Sequence, residues 1–264
     1  PACQALGEPL PDGPGRRDPR TGAPVEDRYS LKWLPDRDRH DHVIEQQFRG
    51  GVVPYFYACQ FRRGLLAHAA LTHKESRGER HVARLWEKAP LDGLSLGGFD
   101  THAVDKTLSA IDATRLRSLE FVFMAEGSVE IVARHAKLGG LRELVLKAIQ
   151  RPIDIAEVIG RTVTLTGLRA LILDTCTVDD TGIARLCQSV FAGGLERLEL
   201  RKCGLTSAAA ARLARDWPAA GRLAYLDLTD NQLGGRTLRE LEDRFGEVLK
   251  TQSDSRDWPT RFYL

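Results

Sequence analysis

One pattern constrains this chain more than any other. L-x-x-L-x-L/F occurs six times, at Leu91-Leu94-Leu96, Leu116-Leu119-Phe121, Leu141-Leu144-Leu146, Leu168-Leu171-Leu173, Leu195-Leu198-Leu200 and Leu223-Leu226-Leu228, at intervals of 25, 25, 27, 27 and 28 residues. A period of this size means that one supersecondary unit is copied, and that stacked copies bury a face none could bury alone. The alternation at the end of each motif predicts a short strand. Between motifs, Val104, Leu108 and Ile111, then Val129, Val132 and Ala136, then Ile183, Leu186 and Val190, then Leu238, Leu241, Phe245 and Val248 have the spacing of one buried helical face. Asp180 or Thr181 is placed to cap the fourth helix, and Thr206 or Ser207 the fifth. The third unit, RPIDIAEVIG, has room for only a turn or two of helix.

Three residues past the last apolar position of each unit stands Phe99, Met124, Ile149, Cys176, Cys203 or Asn231, and the last three units run on to Val178, Leu205 and Leu233. The final unit, LAYLDLTDNQL, therefore completes L-x-x-L-x-L-x-x-N-x-L. On these residues the chain resembles leucine-rich-repeat proteins, and a helix in each unit resembles their ribonuclease-inhibitor-like subclass. Over about residues 45–250, an aromatic segment, an FRRG turn, the repeats and a closing unit like TLRELEDRFGEVL resemble repeat proteins abundant in planctomycete-like bacteria.

The resemblance implies an α/β solenoid, with a parallel sheet on the concave side and helices on the convex side. Strands stack about 4.8 Å apart and helices about 10 Å apart, so such a stack has to curve. The expected divisions are a Pro/Gly-rich arm or linker at 1–28, an N-terminal cap at 29–90, six repeats at 91–250 and a capping tail at 251–264. Within the cap, FRRGLLAHAALTHKE and GERHVARLWEKA read as helices.

With the leucines pointing inward, the residues between them face out of the concave wall. They are Gly93, Ser95 and Gly97; Ser118, Glu120 and Val122; Glu143, Val145 and Lys147; Ala170, Ile172 and Asp174; Arg197, Glu199 and Arg201; and Tyr225, Asp227 and Thr229. The expected partner-binding set is an apolar strip, Val122, Val145 and Ile172, beside a charged aromatic zone of Arg197, Glu199, Arg201, Tyr225 and Asp227. Arg and Tyr are enriched in interface hot spots. Replacing Arg197, Arg201 and Tyr225 together is expected to abolish binding with the fold intact.

Composition narrows the partner. The 38 basic and 36 acidic residues leave a net charge of +2, so the overall field of a nucleic-acid binder is missing and a protein partner is favoured. Basic residues are Arg far more often than Lys, a bias of GC-rich bacterial genomes. Five cysteines without a CxxC pair indicate neither a disulfide framework nor a zinc site, which fits a reduced cytoplasmic compartment. No apolar run reaches the roughly 18 residues a membrane span needs.

Cys176 and Cys203 read as small buried stand-ins for the motif's Asn. The pairs Gly50-Gly51, Gly97-Gly98, Gly139-Gly140, Gly193-Gly194 and Gly234-Gly235 lack phosphate-loop spacing and read as turns needing positive φ. His40 and His42, with Asp36, Asp38 and Asp41, are the densest set of metal-ligand types, in a polar stretch that reads as a solvated loop. The leading expectation is a non-enzymatic scaffold module with no catalytic residue, metal or cofactor. The alternatives are a sensor or specificity subunit of a larger bacterial effector complex, and a metal-dependent enzyme built on His40 and His42.

Overall fold

The repeated leucines line up strand beside strand in the computed structural model, which describes residues 28–30, 56–62, 65–72, 82–83, 86–123, 125, 127–149, 154–218 and 222–252. Ten strands form one sheet in chain order: β1 (Arg28–Ser30), β2 (Phe56–Arg62), β3 (Leu65–Thr72), β4 (Gly93–Gly97), β5 (Ser118–Val122), β6 (Glu143–Lys147), β7 (Ala170–Asp174), β8 (Arg197–Arg201), β9 (Tyr225–Asp227) and β10 (Leu249–Lys250). From β3 onward all pairings are parallel, with the leucines in register: Leu94, Leu119, Leu144, Leu171, Leu198 and Leu226 form one row. Among the described residues from β4 onward, six helices alternate with these strands: α1 (Thr101–Ala110), α2 (Ser128–Arg134), α3 (Ile155–Gly160), α4 (Asp180–Cys187), α5 (Ser207–Asp216) and α6 (Gly235–Phe245). The arrangement is an α/β leucine-rich-repeat solenoid, its core the leucine rows packed against one side of every helix.

Where FRRGLLAHAALTHKE is expected to be helical, its described residues, 61–62 and 65–72, are strand: β2 and β3 pair antiparallel, and β3 pairs parallel with β4, His68 opposite Gly93 and Leu71 opposite Leu96. Apolar pairing on both sides overrides the helical spacing. Leu66, Ala69 and Leu71 stand 25 residues before Leu91, Leu94 and Leu96, so β3 occupies the strand position of one further unit in which Ala replaces the central Leu. Residues 82–83 and 86–88 are helical, as expected of GERHVARLWEKA.

The helix faces follow the spacing with two exceptions. Helix α2 stops at Arg134, leaving Ala136 exposed, and the next turn buries Leu138 instead. Helix α4 stops at Cys187, so Val190 is exposed and Phe191 fills the core. The caps are Asp179, one residue earlier than expected, and Thr206. Asp154 caps α3 and also reaches α4: its carboxylate accepts from Glu157 N at 3.0 Å, Asp179 N at 3.0 Å and Gly182 N at 2.9 Å. Gly182 makes this possible, because a Cβ there would lie 2.2 Å from Asp154 Oδ2. Burial, with the Asp179 carboxylate beside it, pushes Asp154 up to about 6.

Each of β4–β9 is followed by a residue with positive φ: Gly98, Phe123, Ala148, Thr175, Lys202 and Asp230. Of the described glycine pairs only Gly98 has this geometry, so the positive-φ role expected of Gly139-Gly140, Gly193-Gly194 and Gly234-Gly235 is not met, and Gly50-Gly51 lies outside the described residues. Five side-chain-bearing residues instead accept a conformation costing about 1–2 kcal/mol each. In return the N–H of Gly98, Phe123, Ala148, Thr175 and Lys202 meets the carbonyl of the next strand's end, at 2.8–3.1 Å.

The Asn position joins successive units. Asn231 Oδ1 accepts from Cys203 N at 3.1 Å and Leu205 N at 3.0 Å, and its Nδ2 donates to Leu200 O at 2.6 Å. The thiols of Cys176 and Cys203 donate from the same place to Leu146 O and Leu173 O, at 3.4 and 3.3 Å. Burial raises both thiols, Cys176 to about 11, and Cys187 reaches about 12 for the same reason. These are structural cysteines with negligible thiolate at neutral pH.

Two outcomes follow. Asn231→Ala orphans buried donors and acceptors of two units and is expected to cost about 3 kcal/mol in urea denaturation, with Asn231→Cys losing roughly half as much. Because the folded Asp154 pKa lies above the ordinary unfolded value of about 4, its contribution is full below pH 4 and is lost as pH rises to about 6. The stability of the native protein relative to Asp154→Asn is therefore expected to decline across that window.

Candidate functional site

The outward residues of β4–β9 fall into three rows across the strands. The first runs Gly93, Ser118, Glu143, Ala170, Arg197, Tyr225, and the second Ser95, Glu120, Val145, Ile172, Glu199, Asp227. The third runs Gly97, Val122, Lys147, Asp174, Arg201. Val145 and Ile172 are direct neighbours, whereas Val122 lies in the third row beside Lys147. The three aliphatic residues therefore form a bent patch rather than one strip.

The second row is far less exposed than its outward position suggests. Val145 and Ile172 are each 7% exposed, Glu199 and Asp227 2% each, and Ser95 is fully buried. Strands are only about 4.8 Å apart, so the long side chains of the flanking rows close over the row between them. The centre of the face is a floor of Val145 and Ile172, with polar clusters on both sides.

On the N-terminal side the cluster is a chain of hydrogen bonds across four strands. His68 Nε2 lies 3.0 Å from Ser95 Oγ, Ser95 Oγ donates to Glu120 Oε2 at 2.5 Å, and Lys147 Nζ donates to Glu120 Oε1 at 2.7 Å. His68 overlies the side-chain-free Gly93, where a Cβ would come within 2.2 Å of its Nδ1. The first unit, bare in the sequence, is thus covered by a histidine from the preceding strand. The signal that could have revealed it is the L-x-x-A-x-L match at Leu66.

On the C-terminal side Glu199 is the hub. Arg197 bonds it through Nε at 2.5 Å and through Nη2, and Arg201 Nε lies 3.2 Å from Glu199 Oε2, near but not aligned as a hydrogen bond. Arg201 Nη2 also donates to Asp174 Oδ2 at 2.8 Å. The Arg197 guanidinium stacks over the Tyr225 ring, 5.2 Å from its centroid. Tyr225 donates from its hydroxyl to Asp227 Oδ2 at 3.1 Å, and burial and the Asp227 charge push its phenol up to about 12. The structure thus brings Arg197, Glu199, Arg201, Tyr225 and Asp227 together on β8 and β9, one strand away from Ile172.

Chemically this wall is charge-compensated. Lys147, Arg197 and Arg201 each hold a carboxylate, which leaves little cation to draw a phosphate. Among the described residues no group of three or more His, Cys, Asp or Glu side chains converges as a metal site, and His40 and His42 lie outside them. No helix among the described residues is long and apolar enough to cross a membrane.

No family model matches the chain, and no curated protein matches its sequence. Among solved structures it is similar to a Bacteroides fragilis protein from a structural genomics programme, at 14% identity, over 85% of this chain and 73% of that one, with a TM-score of 0.49. It is also similar to a chain of a TLR13–ssRNA13 complex, at 14% identity and a TM-score of 0.37, over 71% of this chain and 32% of that one. The fold stands on the register and inter-unit hydrogen bonds of this chain itself.

The Glu199 hub changes the outcome expected for the arginine substitutions. Arg197→Ala with Arg201→Ala strands a buried carboxylate and is expected to cost about 3–5 kcal/mol, so the fold does not survive untouched. Adding Glu199→Gln should restore most of that stability in chemical denaturation, an outcome that independent surface ion pairs would not give.

Proposed function

We propose that this chain is a non-enzymatic recognition or scaffold module that binds a partner protein on its concave face, through Val122, Val145, Ile172, Arg197, Glu199, Arg201, Tyr225 and Asp227. One observation carries the reading: Arg197 is fixed by Glu199 and stacked on Tyr225, while its side chain stays 38% exposed. Arg and Tyr dominate binding energies when they enter an interface already ordered, because little rotamer freedom remains to be lost. The adjoining Val145 and Ile172 supply an apolar floor. The internal pairing of every cation on this wall favours a protein over a polyphosphate backbone. Units of 25–28 residues with a helix in each support the ribonuclease-inhibitor-like subclass.

The test uses a variant that keeps the wall's charge balance: Arg197→Gln, Glu199→Gln and Tyr225→Ala, which leaves Arg201 paired to Asp174. Affinity capture with the native chain as bait, followed by titration of the captured protein, should show at least tenfold weaker binding to this variant and to Val122→Asp. Equal affinity in both variants places the binding surface elsewhere on the molecule.

A further inference from the structure

We infer that the edge of the sheet where the strands begin is a second docking surface, one that takes a helix presenting a row of carboxylates. It does not rest on the concave-face reading. Arg117, Arg142 and Arg169 each follow the first leucine of a unit and stand immediately before β5, β6 and β7. Each guanidinium reaches the glycine that precedes the next unit's first leucine. Arg117 Nη1 donates to Gly140 O at 2.8 Å, Arg142 Nη1 to Gly167 O at 3.4 Å and Arg169 Nη1 to Gly194 O at 2.7 Å. At Gly140 and Gly194 a Cβ would stand 2.2 and 2.6 Å from these nitrogens, so glycine leaves the guanidinium its place. Arg115 extends the row, stacked on Trp86 and bonded to the carbonyls of Trp86 and Ala89.

Carbonyls orient these cations without neutralising them. Among the described residues neither Arg117 nor Arg142 has a carboxylate within salt-bridge reach, and Arg169 has only Glu196 Oε1, at 3.8 Å. Asp112, in the loop before Arg117, is turned to the N–H and hydroxyl of Thr114. The concave wall shows the opposite, every cation there being paired. The edge where the strands end carries the acidic caps Asp100 and Asp179, with Asp180 beside them. Arg117, Arg142 and Arg169 thus line one edge in rungs one strand apart, held by main-chain carbonyls and met by only one carboxylate, Glu196.

The spacing selects the partner. Rungs repeat at about 4.8 Å, and carboxylates one helical turn apart repeat at about 5.4 Å, a mismatch that flexible Arg side chains absorb over three rungs. Guanidinium and carboxylate also pair in a two-pronged geometry, through N–H groups that the glycine carbonyls leave free. Glu196 stands at the ladder position of the fifth unit and ends the row.

The experiment is fluorescence anisotropy with a labelled Ala-rich helical peptide carrying Glu at one-turn intervals. The same peptide with Gln serves as control, and an oligouridine RNA as the phosphate arm. The native chain should bind the Glu peptide, with affinity falling about tenfold on raising NaCl from about 50 to about 300 mM. Arg117→Gln with Arg142→Gln should weaken binding about tenfold, the corresponding Lys pair should lie between, and Tyr225→Ala should leave it unchanged. Glu196→Arg, at an exposed position, should tighten it several-fold by adding a rung. Equal binding of the Gln peptide, unchanged binding by the folded Gln pair, or capture of RNA but not of the acidic helix would each overturn the inference. If the Gln pair does not fold, the absence of a gain in Glu196→Arg overturns it alone.

Discussion

Everything in this molecule depends on parallel pairing in which each unit completes the one before it. The carbonyl of Arg117 accepts from both Arg142 N and Glu143 N, that of Arg142 from Arg169 N and Ala170 N, and that of Arg169 from Glu196 N and Arg197 N. At the other end of each strand the positive-φ residue donates across to the next unit. A strand of five residues held at both ends by its neighbours has no freedom to slip, because slipping by one residue would turn Leu119 or Leu144 outward. The strained exits at Phe123, Ala148, Thr175 and Lys202 persist because this pairing over-determines them.

The same register decides where charge is spent and where it is left over. On the concave face, residues of adjacent units stand side by side, and evenly mixed signs find each other: Lys147 with Glu120, Arg201 with Asp174. At the strand-start edge the equivalent position is Arg in three successive units, so like charges stack, held by glycine carbonyls and, at Arg169 alone, by a carboxylate as well. A net charge of only +2 therefore hides two quite different electrostatic surfaces.

Much of the fold was legible because leucine spacing reports burial directly: all six motifs mark strands, and their rows are the core. What stayed hidden did so for physical reasons. Ala69 in place of leucine concealed the strand of a preceding unit, since a small residue is enough where β2 closes the sheet on its other side. Alternation gives the direction of the central concave row but not the length of the neighbouring side chains that close over it. Glycine pairs do not mark the positive-φ corners, because the repeat imposes that geometry on whatever residue leaves the strand. Of the expected site, proximity of Arg197, Glu199, Arg201 and Tyr225 could be read from period and alternation, but the arginines' dependence on a buried Glu199 could not. The edge ladder did carry a signal, Gly-Leu-Arg at Gly140-Leu141-Arg142 and again at Gly167-Leu168-Arg169.

The exchange of Asn for Cys at the strand-exit corner has a consequence for how such a chain lengthens. Where Cys203 follows Cys176, the N–H of Val178 meets the Cys203 carbonyl, and where Asn231 follows Cys203, the N–H of Leu205 meets the Asn side chain instead. Either corner thus satisfies the unit behind it. Duplicating the stretch from Leu168 to Gly194 would keep the main-chain ladder between units and preserve the phase of the sheet. Each added copy would bring one more Arg169 to the edge, so length alone would tune how many guanidinia the molecule displays.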